Sequence, residues 1–466
     1  MTEYDVIVVG AGPVGENAAD YVHRGGLSVA LVEAELVGGE CSYWACIPSK
    51  ALLRTGHAAA ALRRLPGTTA EFDPAAVFAR RDWFTGRDSG SEQDAGQVKW
   101  AEGAGITVIR GRGRLTGEKT VSIEGGPVLT ARHAVVLATG SVPVRPPIPG
   151  IDDVPVWGSR EATSAKEAPP RLGVLGGGVV GCELAQAFQR LGSQVVLVNR
   201  GDRLLASTEP FAGERVAAAL RAEGVDVRLE QGIDAVAKQD DAIALTIGDE
   251  TVVVDQLLVA TGRRPASADL GVETVGLEPG KAVATDDSGL VSGVAGEWLY
   301  ATGDVTGRAP LTHQGKYAAR IAAAAIVARV AGKPIDTTPY GEHAATADHG
   351  AVPQVVFTDP EVAAVGRTAE QARAAGLDVR VVDLPIAVAG SSLHADGYDG
   401  AARIVVDTQR EVLVGVTFVG QDVAELLHAA TIAVVGEVPL ARLWHAVPAF
   451  PTISEVWLRL LEAYRA

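Results

Sequence analysis

The chain has 466 residues, 47% of them hydrophobic and 21% charged, which is enough for two or three domains with a large buried core. Its 57 acidic and 41 basic side chains give a net charge of −16, which argues against nucleic acid or an anionic membrane as a partner. No apolar run approaches the roughly 18 residues of a membrane span, and the N-terminus, MTEYDVIVVG, lacks the pattern of a secretory signal. Three cysteines are too few for a disulfide scaffold. We therefore expect a cytoplasmic location, where a disulfide is more often catalytic.

The first element pattern is a strand, a glycine turn, a helix and a second strand, in DVIVVGAGPVGENAADYVHRGGLSVALVE. Gly10, Gly12 and Gly15 form a G-x-G-x-x-G, which allows a tight turn, close approach of backbone to a pyrophosphate, and close packing of the helix on the strand. Glu33 ends the second strand, where a carboxylate can accept hydrogen bonds from a ribose. This frame predicts a dinucleotide site.

Two cysteines stand five residues apart in the next stretch, GGECSYWACIPSK. Pro48 suits the first turn of a helix, which places Cys41 before that turn and Cys46 near its start. Residues five apart in a regular helix have Cα atoms more than about 7 Å apart, so the backbone must leave regular helix if the pair is to close. A helix N-terminus lowers the pKa of a nearby thiol. The alternatives are two buried thiols or part of a metal site, but no further Cys or His cluster stands nearby, so we expect no metal.

The glycine frame returns in RLGVLGGGVVGCELAQAFQRLGSQVVLVNR, at Gly176, Gly178 and Gly181. In this copy Asn199 replaces the acid, and Arg200 and Arg203 follow it. A carboxylate would repel a 2′-phosphate, whereas arginine binds one, so the sequence favours NADPH over NADH. The alternative is that these arginines belong to a solvated loop.

Other apolar strands end in glycine at places where backbone can approach a ligand. The first is followed by Thr139 and Gly140, the second by Gly262, and the third by Gly303 and Asp304. The Pro-rich stretch 143–150 predicts a linker. Two dinucleotide sites in one chain indicate electron transfer between a flavin and a nicotinamide.

Together these motifs resemble those of the pyridine nucleotide–disulfide oxidoreductases, the flavoprotein family of dihydrolipoamide dehydrogenase, glutathione reductase and mercuric reductase. The C-terminal stretches VPQVVFTDPEVAAVG and PTISE extend the resemblance over nearly the whole chain. It implies an α/β fold, a homodimer with an active site shared across the interface, and a set of domains. These are two Rossmann-like domains for FAD (1–150 and 269–340) and NAD(P) (151–268), and an α+β dimerisation domain (341–466). A predicted strand hairpin followed by a helix, within residues 402–436, fits the last of these.

The resemblance also implies roles for individual residues. Cys46 would lie against the flavin and take electrons from it, and Cys41 would be the thiol that attacks the substrate. Asp304 would contact the ribityl–phosphate region of the flavin, and Glu183 would pair with Lys50 near the flavin N5. An ordinary salt bridge is the alternative for that pair.

The chain departs from the family pattern at two places. Between the cysteines stand Tyr43 and Trp44, where the family has a small or polar loop with glycine, so these rings either pack or enclose the substrate. The family's His-Pro-Thr-x-x-Glu, contributed by the partner subunit, has Phe450 in place of the histidine while Glu455 remains. Phenylalanine transfers no proton, and general acid–base catalysis contributes roughly 10²- to 10⁴-fold. His445 is the alternative base, although it lies outside the motif.

Three functions stay open on these grounds. The first is an FAD-dependent, NADPH-oxidising enzyme whose cysteine pair acts on an atypical disulfide, a thioether or an electron acceptor such as a quinone. The second is a carbon–sulfur bond-cleaving oxidoreductase/carboxylase. It would resemble 2-ketopropyl-coenzyme M oxidoreductase/carboxylase, which also has Phe in the histidine's place but replaces the glutamate. The third is a flavin-bound redox sensor or binding subunit that uses a low-pKa Cys41. The lack of a C-terminal cysteine pair argues against mercury reduction.

Overall fold

A computed structural model describes residues 2–466. The strands, in chain order, are β1 Thr2–Val9, β2 Val29–Glu33, β3 Thr107–Arg110, β4 Gly113–Gly117, β5 Thr120–Ile123, β6 Val128–Leu137, β7 Ser141–Pro143, β8 Val156–Trp157, β9 Arg171–Leu175, β10 Gln194–Val198, β11 Asp226–Arg228, β12 Ala235–Gln239, β13 Ala242–Ile247, β14 Glu250–Val254, β15 Gln256–Val259, β16 Arg263–Pro265, β17 Leu299–Ala301, β18 Pro353–Val356, β19 Glu361–Gly366, β20 Val379–Pro385, β21 Ala401–Asp407 and β22 Val412–Gly420. The α-helices are α1 Pro13–Arg24, α2 Gly39–Tyr43, α3 Cys46–Arg63, α4 Pro74–Phe84, α5 Ala95–Gly103, α6 Ser159–Ser164, α7 Val179–Arg190, α8 Pro210–Ala222, α9 Thr312–Val330, α10 Ala369–Ala374, α11 Ala389–His394, α12 Leu427–Val435, α13 Leu440–Leu443 and α14 Val456–Arg465.

The chain divides into two compact units, each built from separate stretches of sequence. The first unit comprises residues 1–48, 82–144 and 262–348, and the second comprises residues 49–81, 145–261 and 349–466. A boundary between the units falls after residue 144, inside the Pro-rich stretch that predicted a linker. The domain limits expected from the sequence stay a prediction.

The first unit is built on a mixed sheet with the strand order β3-β2-β1-β6-β5-β4, and β17 also pairs with β6. Strands β2, β1, β6 and β17 run parallel, which suits the strand–helix–strand pattern of the first glycine turn. In β1, Val6 and Val8 face one apolar cluster while Ile7 and Val9 face another. Both faces of this strand are therefore buried, as expected for a central parallel strand.

The second unit contains a parallel sheet and two antiparallel sheets. The parallel sheet has the order β11-β10-β9-β15-β8, the first antiparallel sheet is β12-β13-β14, and the second is β18-β19-β22-β21-β20. The predicted C-terminal hairpin is confirmed, since β21 and β22 pair antiparallel and α12 follows. In residues 2–466 no helix combines the length and the apolar character that crossing a membrane requires.

Candidate active site

The first glycine turn joins β1 to α1 and leaves open space at the helix start. Gly10 has a φ of 100°, and a Cβ there would lie 2.5 Å from the carbonyl oxygen of Ala138. A Cβ at Gly15 would lie 1.8 Å from the carbonyl oxygen of Gly10. Around Gly12, by contrast, a Cβ would meet no atom within 4 Å. Gly10 and Gly15 thus permit the close packing of strand and helix, and Gly12 leaves room for a ligand at the N-terminus of α1.

Glu33 closes this turn from the end of β2. Its Oε2 accepts a hydrogen bond from the backbone N–H of Ala11 at 2.7 Å, and its Oε1 accepts one from Glu35 at 2.8 Å. Burial raises the pKa of the Glu33 carboxyl, and the two backbone donors oppose that shift. The carboxylate is therefore held beside the glycine turn, where the sequence predicted it.

The second glycine turn, between β9 and α7, repeats the same contacts. Gly176 has a φ of 115°, and a Cβ there would lie 2.4 Å from the carbonyl oxygen of Ala260. A Cβ at Gly181 would lie 1.9 Å from the carbonyl oxygen of Gly176, whereas the space around Gly178 is open for 4 Å. This turn is therefore also shaped to place backbone against a dinucleotide.

Asn199 occupies the acid's position in the second turn, and its side chain makes three hydrogen bonds to backbone groups. Its Oδ1 accepts from the N–H of Gly177 at 3.1 Å, and its Nδ2 donates to the carbonyls of Gly201 at 3.1 Å and Arg203 at 3.0 Å. Asn199 thus shapes the loop that carries the arginines. The side chain of Arg200 is exposed. Its guanidinium is accessible to an anionic ligand.

The glycines that follow the other apolar strands lie in the first unit, and both have positive φ. Gly140 has a φ of 73° and Gly262 a φ of 117°, and neither has an atom within 4 Å of a built Cβ. Thr139 does not point its hydroxyl into this space, because Oγ1 donates to the carbonyl of Ala266 at 2.9 Å. The open space at both glycines fits the predicted approach of a ligand to backbone.

Asp304 follows β17 and lies next to the first glycine turn. A Cβ at Gly303 would lie 3.2 Å from side-chain atoms of Val14 in α1, so this segment packs on the helix start. One carboxylate oxygen of Asp304 accepts from the hydroxyl of Ser141 at 2.6 Å. Nearby, the hydroxyl of Thr302 is buried and has no hydrogen-bond partner within the described residues. Such an orphaned polar atom fits a site that a polar ligand completes.

The cysteine pair lies at a break between two helices, as the spacing required. Cys41 is inside α2, Trp44 has a φ of −138°, and Cys46 begins α3. No disulfide joins the two sulfurs in this structure. The hydroxyl oxygen of Thr312, the first residue of α9, lies 3.2 Å from Cys41 Sγ and 3.4 Å from Cys46 Sγ. No motif in the sequence indicated Thr312, which stands 266 residues after Cys46.

The expected lowering of the Cys41 pKa is wrong for this structure. Cys41 does not begin a helix, and its pKa is raised, first by a hydrogen bond with Cys46 and second by burial. The Thr312 hydroxyl and the charge of Lys316 act in the opposite direction. Of the two rings beside the pair, Tyr43 is buried, donates its hydroxyl to the carbonyl of Val37 at 2.9 Å, and therefore serves packing.

Lys50 and Glu183 form the predicted pair in the second unit. Lys50 Nζ lies 2.7 Å from Glu183 Oε2, and the other carboxylate oxygen accepts from the backbone N–H of Phe357 at 2.9 Å. Lys50 Nζ also lies 4.9 Å from the centre of the Phe357 ring. The Glu183 side chain is 3% exposed and that of Lys50 is 34% exposed, so the lysine side chain remains partly accessible to solvent.

The C-terminal stretch presents Phe450 to the outside. Phe450 is 76% exposed, which is unusual for so large an apolar side chain, and Val447 beside it is 87% exposed. Glu455 accepts from Arg459 at 2.5 Å through Oε1, while its Oε2 is buried without a hydrogen-bond partner within residues 2–466. His445 is exposed, on the segment after α13.

Known proteins resemble the chain over almost its full length. The family description "Pyridine nucleotide-disulphide oxidoreductase" matches residues 4–325, and that of the family's dimerisation domain matches residues 352–460. A dihydrolipoyl dehydrogenase of Thermus scotoductus is 33% identical over 483 residues, covering 99% of this chain and 98% of the relative. A mercuric reductase of Staphylococcus aureus is 31% identical over 441 residues, covering 93% and 77%. The solved HOCl-induced flavoprotein disulfide reductase RclA from Escherichia coli has a TM-score of 0.84 at 26% identity, covering 98% and 99%.

Two glycine turns for dinucleotides and a free cysteine pair define a class of redox enzymes that couple a flavin to a nicotinamide. The chain belongs to the pyridine nucleotide-disulphide oxidoreductase family. The predicted fold class is thereby confirmed, with Rossmann-like FAD and NAD(P) domains and a C-terminal dimerisation domain. The prediction of an FAD-dependent enzyme that binds a pyridine nucleotide is confirmed as well.

Proposed function

We propose that this chain oxidises NADPH and, through bound FAD, reduces a Cys41–Cys46 disulfide that passes its electrons to an atypical acceptor. The observation that carries the proposal is the contact of both sulfurs with one hydroxyl, that of Thr312. Bound FAD supplies the chemistry that links a two-electron hydride donor to a sulfur–sulfur bond. The chain's residues hold the two cofactors, position the sulfurs and control the protons.

The residues of the first glycine turn would hold FAD. Gly12 leaves room for a pyrophosphate at the N-terminus of α1, where backbone N–H groups and the helix dipole favour an anion. Glu33 is fixed by two backbone donors, and its remaining lone pairs can accept from a ribose hydroxyl. Asp304, also beside α1, would serve the ribityl–phosphate region, as the family resemblance implies.

The residues of the second glycine turn would hold NADPH. Asn199 places no negative charge near a 2′-phosphate, and the exposed guanidinium of Arg200 can bind one in a bidentate manner. Arg203 stands on the same loop, whose backbone Asn199 ties together. NADH is the second candidate, and the substitution Arg200→Gln separates the two.

The proton step distinguishes this chain from a reductase of ordinary small disulfides. The substrate side needs a group that protonates a leaving thiolate, and Phe450 cannot do so. The Phe450 ring and the Val447 side chain are both exposed on the C-terminal stretch, which suits burial of that stretch in a homodimer. In that arrangement the ring would enter the partner's site and exclude water from it.

Anaerobic titration of the FAD-loaded protein with NADPH tests the proposal. A disulfide that takes electrons through the flavin adds one hydride equivalent to the one that the flavin itself accepts. We therefore expect the oxidised wild-type protein to consume two equivalents of NADPH per FAD and the Cys46→Ser variant to consume one. Cys182 is fully buried, so Cys182→Ser is the matched control and should still consume two equivalents of NADPH. One equivalent for the wild type would show that the pair is not part of the electron route.

Carbon–sulfur bond cleavage with carboxylation is the second candidate, because an apolar ring in the histidine's place keeps protons from a carbanion. Product analysis with thioether substrates, with and without bicarbonate, tests it, and a carboxylated product that forms only with bicarbonate would favour it over simple reduction. A redox sensor or binding subunit is disfavoured, since it would not need the second glycine turn for a nicotinamide. Acceptor screens should include thiols, quinones, lipoamide, Hg(II) and Cu(II), because relatives carry the names dihydrolipoyl dehydrogenase and mercuric reductase and one was solved as a Cu(II) complex.

A further inference from the structure

A buried carboxylate in α1 has no role in the function proposed above. Glu16 lies in the first turn of α1, directly after the third glycine of the first turn. Its side chain is 8% exposed, and its Oε1 is buried without a hydrogen-bond partner within residues 2–466. An unpaired carboxylate anion is costly in such surroundings, so burial raises the pKa of Glu16 to about 7. This group therefore changes its charge near neutral pH.

Two helices at the cysteine pair pack on the start of α1: α2, which contains Cys41, and α9, which contains Thr312. A Cβ at Gly39, the first residue of α2, would lie 2.7 Å from Cα of Gly12. A Cβ at Gly315 in α9 would lie 2.4 Å from Cγ2 of Val14. Only glycine permits such close approach of backbone. Glu16, one turn beyond Gly12, thus stands where α1 meets both the helix of Cys41 and the helix that contacts the sulfurs.

The positive charge of Lys316 acts on both the Glu16 carboxylate and Cys41. Lys316 follows Thr312 by four residues in α9, so the two side chains lie on the same face of that helix. The positive charge of Lys316 acts to lower the pKa of Glu16 and also that of Cys41. Both groups therefore feel the same ammonium.

Two other titratable groups face Glu16. The carboxylate of Glu33, at the end of β2, acts to raise the pKa of Glu16. Tyr43 in α2 has its own pKa raised to about 12, by burial first and partly by the charge of Glu16, so the phenol stays neutral near pH 7. Tyr43 therefore does not change its charge near neutral pH, whereas the Glu16 carboxyl does.

We propose that Glu16 and Lys316 are positioning residues that set the protonation state of the reduced Cys41–Cys46 pair. The inference rests on the proposed function, since only a pair that cycles between disulfide and dithiol requires this control. One hydride brings two electrons and one proton. The sulfur–sulfur bond breaks, the electrons stay on the two sulfurs, and the sulfurs and the Glu16 carboxylate share the single proton.

The charge of Glu16 determines how strongly Lys316 acts on the sulfurs. When Glu16 is protonated, the ammonium is uncompensated and stabilises a thiolate of the pair. When Glu16 is ionised, its negative charge offsets the ammonium and the thiolate loses that stabilisation. The subunit can thus keep a proton close to the dithiol although Phe450 cannot hold one.

The test is the pH profile of alkylation of the reduced pair. The FAD-loaded protein is reduced anaerobically with a stoichiometric amount of dithionite, treated with iodoacetamide between about pH 5.5 and 9, and analysed by mass spectrometry. In Glu16→Gln the apparent pKa of the reactive thiol falls by about one unit, so alkylation above pH 7 is about tenfold faster, because a neighbouring charge shifts a pKa by that order. Below about pH 6, where Glu16 is already protonated, the variant matches the wild type.

Lys316→Met gives the opposite result, with alkylation about tenfold slower, because the stabilising charge is gone. Asp20→Asn is the matched control, because it also removes one negative charge from α1. Asp20 lies one turn further along that helix and pairs with Arg24 at 2.8 Å. This substitution leaves the profile unchanged. Flavin content and circular dichroism establish that each variant is folded.

Shifts of the same sign in both charge variants, or a Glu16→Gln profile identical to that of the wild type, would overturn the inference. Failure of the proposed function gives a different pattern. In that case the dithionite-reduced protein shows the expected shifts, while NADPH delivers only one hydride equivalent.

Discussion

The two glycine turns of this chain share their backbone contacts and differ in the side chains that complete them. In each turn the residue after the first glycine donates its N–H to the side chain at the end of the second strand, to Glu33 at 2.7 Å in the first turn and to Asn199 at 3.1 Å in the second. The residue after the third glycine is Glu16 in the first turn and Cys182 in the second, and both are buried. The glycines thus specify the common scaffold, and we expect single side chains to determine which ligand and which proton chemistry each turn supports.

Alanine at the third glycine breaks either turn, with the largest effect of the changes considered. Gly15→Ala abolishes FAD binding, because the new Cβ would lie 1.8 Å from a carbonyl oxygen. Gly181→Ala, with a corresponding distance of 1.9 Å, abolishes flavin reduction by NADPH while FAD stays bound. Flavin absorbance and stopped-flow reduction measure both outcomes. Gly103→Ala in α5, where a Cβ meets no atom within 4 Å, is the control.

A histidine at position 450 tests whether proton transfer limits turnover while both dinucleotide sites stay intact. Phe450→His raises the turnover of small disulfides with NADPH by about a hundredfold, within the range of general acid–base catalysis. The rate of flavin reduction by NADPH stays the same. Phe450→Leu, which restores no proton carrier, is the matched control. If the two variants behave alike, the proton step does not limit turnover.

We expect the residues that follow β10 to determine the preference for NADPH over NADH. Arg200→Gln lowers kcat/KM for NADPH about tenfold and leaves that for NADH nearly unchanged, because only NADPH carries the phosphate that the guanidinium binds. Steady-state kinetics with both nucleotides and a common acceptor measure the ratio. Equal losses for both nucleotides would contradict the assignment of the second turn to NADPH.

The buried carboxyl of the first turn gives a pH dependence of stability that the second turn lacks. The Glu16 pKa is about 7 in the folded protein, above the usual value of 4.5, so the folded state binds more protons between those limits. Stability is therefore greatest below about pH 4.5 for this group and falls as the pH rises to 7, by at most about 3 kcal/mol. Glu16→Gln removes that loss. Chemical unfolding at about pH 5.5 and 8 should show a smaller decrease in the variant than in the wild type.

Local patterns predicted most of this architecture. Both glycine turns, the position of Glu33, the helix start near Pro48 and the C-terminal hairpin depend on short stretches of sequence, and the structure shows each of them. The Lys50–Glu183 pair was predicted from resemblance alone and is formed at 2.7 Å.

Contacts between distant parts of the chain could not be predicted in this way. Thr312 reaches the cysteine pair only because α9 packs on α1, and no periodicity in the sequence reports that packing. The direction of the Cys41 pKa was missed for a related reason. It depends on a hydrogen bond between the two thiols and on burial, which outweigh the helix dipole assumed from the sequence.

Alkylation after reduction by NADPH tests the central claim most directly. The FAD-loaded protein is oxidised, treated anaerobically with two equivalents of NADPH, alkylated and mapped by mass spectrometry. The account predicts new alkylation at Cys41 and Cys46, none at the buried Cys182, and no alkylation of the pair without NADPH. A reduced flavin with both residues still joined in a disulfide would contradict it.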